Sequence, residues 1–316
     1  MKITRKHFLA SGAMATAGMA FNMKGLAKAG RKDNNKMKVC VFSKHLQWLN
    51  YHDMAMAAAD MGFDGVDLSV RAKGHVLPER VAEDLPKAIA AVRKAGLEVY
   101  IISTDIVDAN DPLTDKVLKT AAGLQIVNYR TGWFTYQKEL DIPANIEIFK
   151  ARLSGLQQIN KKYGLHADYQ NHSGEGFGSS IWDLWLSIKE LDPKYIGSQY
   201  DIYHATVAGA YSWPVGLELI HKYVHTTDIK DFRWEKKEGK WKLTPVPLGD
   251  GMVDLSKYLG LVKKYNIPGP VTLHCDYSSG GSESGAATLT IPGSDVLKAI
   301  KKDLGVLKNL LAEAGL

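Results

Sequence analysis

Cysteine is nearly absent. The 316 residues include only two, Cys40 and Cys275, too few for a disulfide framework or a four-cysteine zinc site. No apolar run is long enough to cross a bilayer. The uncharged stretch from Phe8 to Phe21 is 14 residues against the ~20 a membrane helix needs. Phe42-Ser43-Lys44-His45, after the first strand-like run, carries no glycine, which argues against a dinucleotide-binding fingerprint. No Gly- or Pro-rich linker divides the chain. With 45% hydrophobic and 23% charged residues, the composition excludes a disordered, collagen-like or coiled-coil protein.

The net charge of +6 has a local origin. Residues 1–29 read as an export signal: a basic start (Lys2, Arg5, Lys6), the uncharged stretch, and Ala27-Lys28-Ala29 as a small-residue cleavage site. Thr4-Arg5-Lys6-His7-Phe8-Leu9 resembles a twin-arginine signal with Lys in the second place, leaving ordinary Sec export open. Five of the six excess charges lie in this segment, so its removal leaves +1. That leaves no basic surplus for binding nucleic acid. The expected destination is the periplasm. Residues 30–37 form a short linker, and 38–316 one folded domain without stable membrane insertion.

Beyond residue 37 the chain alternates strand-like and helix-like segments. Apolar, β-branched runs begin near Lys38, Gly65, Glu98, Gln125, Ala167, Ser198, His225 and Val271, on average about 33 residues apart, enough for one strand, one helix and two loops. Helix-period segments lie between them, and several end at Gly62, Gly96 or Gly164. Pro78 and Pro214 stand near helix starts. Eight such units predict a single (β/α)8 TIM barrel of the α/β class, not an open doubly wound sheet. The third unit reads as incomplete, with only PLTDKVLKTAAG as a helix.

A barrel of this kind carries its chemistry at the C-terminal ends of the strands. The polar residues follow that rule and are expected to be sparse at the opposite ends. Asp67, Arg71 and His75 follow strand two, Thr104-Asp105 strand three, and Arg130 with Trp133 strand four. Gln170-Asn171-His172 end strand five, Asp201 and His204 strand six, Asp228, Lys230 and Asp231 strand seven, and His274 with Asp276 strand eight. Gln170, Asp201, Asp228 and His274 are candidate metal ligands from successive strands. Two carboxylates, an imidazole and an amide oxygen suit Mn2+ or Mg2+, with Zn2+ also admissible.

His75 is a candidate substrate contact, as is Arg130, beside which Trp133 could stack on a pyranose. Trp182 and Trp185, at helical spacing, read as core residues. SSGGSESG, after strand eight, stands where many barrels bind phosphate but has no Lys or Arg, so it reads as a mobile lid.

The segments DGVDLSVRAKGHVLPE, YQNHSG, QYDIYHA, DIKDF with PLGDGMVD, and LHCDY resemble the xylose-isomerase-like sugar phosphate isomerase/epimerase superfamily, which includes endonuclease IV. The likeness spans residues 38–311 and is strongest to its exported bacterial branch. It implies one divalent ion held by Glu, Asp, His and Glu from strands five to eight, with the two Glu shuttling protons. Those positions fall on Gln170, Asp201, Asp228 and His274. His204 matches an Asp-x-x-His pattern, and Lys230-Asp231 a recurrent Lys/Asn-Asp. Gln170 cannot take up a proton, which disfavours a symmetric two-carboxylate mechanism. His274, Asp276, His204 and His172 are then the candidate proton carriers.

The expected activity is metal-dependent isomerisation or epimerisation of an unphosphorylated carbohydrate by enolisation next to a carbonyl. The alternatives are a lyase or hydratase acting on 3-keto-glycosides and a non-catalytic carbohydrate-binding barrel. The expected partner is a small carbohydrate. Whether copies of the chain associate is left open.

Overall fold

The structure is a computed structural model that describes residues 36–316. The expected export signal and most of the expected linker lie outside the described residues. Eight parallel strands close a barrel: β1 (Val39–Phe42), β2 (Gly65–Val70), β3 (Glu98–Thr104), β4 (Asn128–Arg130), β5 (His166–Gln170), β6 (Ile196–Asp201), β7 (Val224–Ile229) and β10 (Val271–Leu273). β1 pairs with both β2 and β10, and β10 with β7, so the ring runs β1-β10-β7-β6-β5-β4-β3-β2. β8 (Asp231–Lys237) and β9 (Lys240–Val246) form an antiparallel hairpin after β7. Its turn, Glu238-Gly239, has both φ positive (53° and 77°), as a two-residue hairpin turn requires.

Local chemistry sets the helix boundaries. Asn50, Asp111, Asp141 and Asp254 each accept a backbone N–H at a helix start. Gly62 and Gly164 end helices in the left-handed conformation. Pro214 lies in the first turn of helix Trp213–Ile220, whereas Pro78 opens a short 3-10 turn before helix Val81–Lys94. The third unit is complete after all: Pro112–Gly123 is a helix of 12 residues that buries Val117, Leu118 and Ala121 in the core.

The main apolar core lies between sheet and helices. Val66, Leu68, Leu85, Ile89, Leu153, Leu156, Leu217 and Leu307 are all essentially inaccessible. Each such side chain contributes about 1.5–3 kcal/mol on burial. Trp182 does not join this core: it is 52% exposed, while Trp185 packs half-buried against it. Cys40 and Cys275 are buried and unbridged.

The barrel interior is unusually polar, and not only at its mouth. On β5, His166, Asp168 and Gln170 share the inward face at a period of two, from the bottom of the barrel to the top. At the bottom, His166 Nδ1 donates to the Lys194 carbonyl (3.0 Å) and Nε2 meets Asp168 Oδ1 (2.9 Å). Thr226 Oγ1 donates to the other Asp168 oxygen (2.9 Å), and His225 stacks on His166. Gly197 leaves the room, since a Cβ there would meet the Tyr223 carbonyl and both imidazoles. The expectation that polar residues avoid the N-terminal half is corrected by this group.

Candidate active site at the barrel mouth

Gln170, Asp201 and Asp228 meet where β5, β6 and β7 end. Arg130, from β4, donates Nη1–H to Gln170 Oε1 at 2.8 Å. That contact fixes the amide's orientation, because turning it over would set N–H against N–H. The Gln170 NH2 consequently faces Asp201 Oδ2 (3.0 Å) and Asp228 Oδ2 (2.5 Å). Asp201 is otherwise engaged too. Its Oδ1 accepts the His204 backbone N–H (3.2 Å), capping helix Ile202–Gly209, while Lys230 Nζ lies 3.1 Å from Oδ2.

Lys230 reaches on to Asp276 Oδ2 (3.0 Å), whose Oδ1 accepts from Lys44 at 2.6 Å. Burial alone would lower the Lys230 pKa, but Asp201, Asp276 and Asp228 together raise it. Asp276, although half-buried, is held well below the usual carboxylate range by Lys230 and Lys44. It stays ionised and is a weak base.

A second group lies across the barrel. Asp67 on β2, Asp228 on β7 and His274 after β10 each bring one ligand atom within 4.8 Å of the others, an arrangement that could hold a metal ion. Ser103 donates to Asp67 Oδ1 (2.8 Å), while Oδ2 has no partner. Asp228 Oδ2 takes the Gln170 amide, while Oδ1 has no hydrogen-bond partner and lies 3.4 Å from His274 Nε2. The His274 ring stacks on Phe42 (centroids 4.7 Å, planes 24° apart). Burial, reinforced by the neighbouring Asp228, pushes Asp67 up to about 7; burial likewise brings Asp228 to about 7. Burial also drives His274 well below its ordinary value, so it is neutral.

These contacts correct the expected ligand set. Gln170 presents protons where an ion needs a lone pair, and Asp201 is occupied by an ammonium, an amide and a helix cap. The four positions on strands five to eight therefore do not fit a divalent ion as a group. Asp228 and His274 do converge, but with Asp67. Nothing in the sequence spacing marks Asp67 as a ligand, because it stands on β2 and meets Asp228 only when the barrel closes.

The candidate proton carriers separate by environment. His204 Nδ1 pairs with Ser173 Oγ (2.9 Å), and its buried Nε2 has no hydrogen-bond partner, 3.7 Å from Asp201 Oδ2. Burial, helped by Lys230, depresses its pKa well below the usual value. His172 lies against it, ring centroids 3.8 Å apart, and is lowered in the same sense. Trp133 is 42% exposed, with the Arg130 guanidinium over its ring at 4.5 Å. One face is thus already covered, and Arg130 keeps Nε and Nη2 unpartnered. His75 is not part of the cluster. It packs beside Tyr51 and the Leu46–Leu49 backbone, and burial lowers it to about 4.

The SSGGSESG loop is tied by hydrogen bonds within itself and to the loop after β1. Glu283 accepts from the Ser279 and Gly281 N–H groups, and His45 bridges the Cys275 N–H and the Ser282 carbonyl. Ser284 and Gly285 line a cavity of about 300 Å³ with Lys44, Arg71, Lys73 and Asp105. The loop itself carries no cation; the loops after β1 and β2 supply three. Asp231 is structural: it accepts from the N–H groups of Phe232, Gly249, Gly251 and Val253, tying the hairpin to the next turn.

The barrel and this mouth define a class. Residues 55–310 match the family model of the xylose isomerase-like TIM barrel, and the chain belongs to that family. No curated protein matches it by sequence. Solved structures match in fold. The apo 3-keto-D-glucoside 4-epimerase YcjR from E. coli has 14% identity and TM-score 0.64, covering 85% of this chain and 100% of its own. The D-allulose 3-epimerase of a Methylomonas species, in complex with D-allulose, has 14% identity and TM-score 0.64, covering 87% and 97%. The IolI protein with a bound zinc atom has 15% identity and TM-score 0.67, covering 88% and 99%.

Proposed function

We propose that the protein is an exported sugar isomerase or epimerase that enolises the carbon next to a carbonyl of an unphosphorylated carbohydrate. The observation that carries this reading is His204: a buried, neutral imidazole with a free Nε2, at the C-terminal mouth, beside Asp201 and Lys230. Ser173 Oγ holds Nδ1, and in the tautomer with the proton on Nδ1 the hydroxyl accepts it and Nε2 is the base. When Nε2 takes the proton from carbon, the imidazolium faces the Asp201 carboxylate. Lys230 has three N–H donors, of which two go to Asp201 and Asp276. The third is available to the oxygen on which enolate charge develops. Asp276 is a positioning residue that holds Lys44 and Lys230.

With Gln170 in place of a carboxylate, the His204 imidazolium exchanges its proton with solvent through the exposed His172 ring against it and then protonates the adjacent carbon of the enediolate, giving a positional isomer; an epimer needs delivery from the opposite face. The neighbouring structures, a 3-keto-glucoside epimerase and an allulose epimerase, support a keto-sugar substrate. The cationic cavity beside Ser284 favours one further reading, a sugar carrying a carboxylate or phosphate.

The test is product analysis by NMR with 3-keto-glucosides and ketohexoses, each beside an anionic counterpart. An epimer or positional isomer is the expected product, while an elimination product assigns a lyase. Binding without turnover of any of them contradicts catalysis. Protease accessibility in intact cells checks export.

A further inference from the structure

We propose that a first-row divalent metal ion binds between Asp67, Asp228 and His274, and that Gln170 and Asp201 do not ligate it. Three fully buried ligand atoms, Asp67 Oδ2, Asp228 Oδ1 and His274 Nε2, lack hydrogen-bond partners and converge within 4.8 Å. Buried polar atoms are rarely left so, and the convergence of these three on one point sets them apart from the scattered unpartnered atoms of Ser198, Gln199, Thr227 and Thr272. Two carboxylate oxygens and an imidazole nitrogen form a donor set for Mn2+, Fe2+ or Zn2+.

The surroundings are those of an oriented ligand set. Each carboxylate has one oxygen engaged by a neutral donor and the other free: Ser103 holds Asp67, and Gln170 holds Asp228. The Phe42 ring fixes the plane of the His274 imidazole. Such outer contacts aim ligands and raise affinity. The fold makes the meeting possible, because β1 and β10 alone separate β2 from β7 in the closed ring. The other half of the mouth already has its cation, since Lys230 sits on Asp201 and Asp276. Gln170 thereby becomes a support for a ligand, and Asp201 the partner of a protein ammonium.

The inference stands apart from the sugar reading, because ion binding is measured without any sugar. The full chain, stripped with chelator, is titrated with Mn2+ by calorimetry and by electron paramagnetic resonance. One ion per chain is expected, with nitrogen hyperfine coupling that His274→Gln removes. Asp67→Asn should weaken Mn2+ binding by about 100-fold or more, and Ser103→Ala by about 10–100-fold. Asp201→Asn should change it by less than about threefold, the effect of a residue outside the ligand set. Ser103→Ala carries the test if Asp67→Asn fails to fold. Two results would overturn the proposal: no uptake of Mn2+ or Zn2+ by the unaltered chain, or loss of the ion in Asp201→Asn with retention in Asp67→Asn.

Discussion

The two ends of one barrel bury similar chemistry and treat it differently. At the bottom, His166, Asp168 and Thr226 satisfy one another, and none of their side-chain polar atoms lacks a partner. At the mouth, Asp67, Asp228, His274, His204 and Arg130 each keep at least one buried atom unpartnered. Burying an unpaired polar group costs about 1–3 kcal/mol; Ser198, Gln199, Thr227 and Thr272 in the barrel wall keep such atoms singly, so it is the convergence of several at the mouth that marks a place where something else is to bind. The contrast separates a structural histidine–aspartate pair from a reaction site more surely than burial or residue type.

The contrast can be broken by substitution. The largest effect is expected from Lys230→Met, which leaves Asp201 and Asp276 without their shared cation. It should destabilise the protein by about 3–5 kcal/mol in denaturant titrations and abolish turnover. His204→Gln should slow turnover by about 10²–10⁴-fold with little change in melting temperature. Equal losses of stability and activity would make His204 a packing residue.

His166→Gln should do the reverse, costing about 1–3 kcal/mol while leaving kcat/KM unchanged. Burial lowers the His166 pKa, but Asp168 outweighs it and the net shift is upward. Its stabilisation is therefore full below the unfolded value near 6.5 and is lost as pH rises through the folded value. The gap between parent and variant should narrow from pH 5.5 to pH 9. The smallest effect is Asp67→Asn in chelator, which removes one of two facing carboxylates. Asp67 is raised to about 7, so the parent loses stability as pH climbs from about 4 to 7 and the variant loses less. At pH 8 the variant should melt a few degrees higher, at roughly 2–4 °C per kcal/mol. A lower melting temperature would mean that Asp67 already has its counter-charge in the protein.

The periodic features were legible in the sequence: eight strands, the helix-ending glycines and the polar strand ends follow from local rules that need no partner. The hairpin β8–β9 was not, because Asp231–Lys237 continues directly from β7 and its second strand, Lys240–Val246, is too polar to stand out. Trp182 shows the limit of helical spacing, which marks a face but not what covers it. At the site, strand ends located Gln170, Asp201, Asp228 and His274, yet not the amide orientation that Arg130 imposes from β4. Asp67 and Lys44 acquire their roles only through closure, which brings β2 and the loop after β1 to residues some 160 and 230 positions away.

The most direct test of the central claim is deuterium wash-in. A keto-sugar turned over by the full chain in D2O should gain deuterium at the carbon next to its carbonyl, read by NMR, and His204→Gln should suppress the gain. Turnover with no solvent deuterium at that carbon, or wash-in undiminished in His204→Gln, would contradict it.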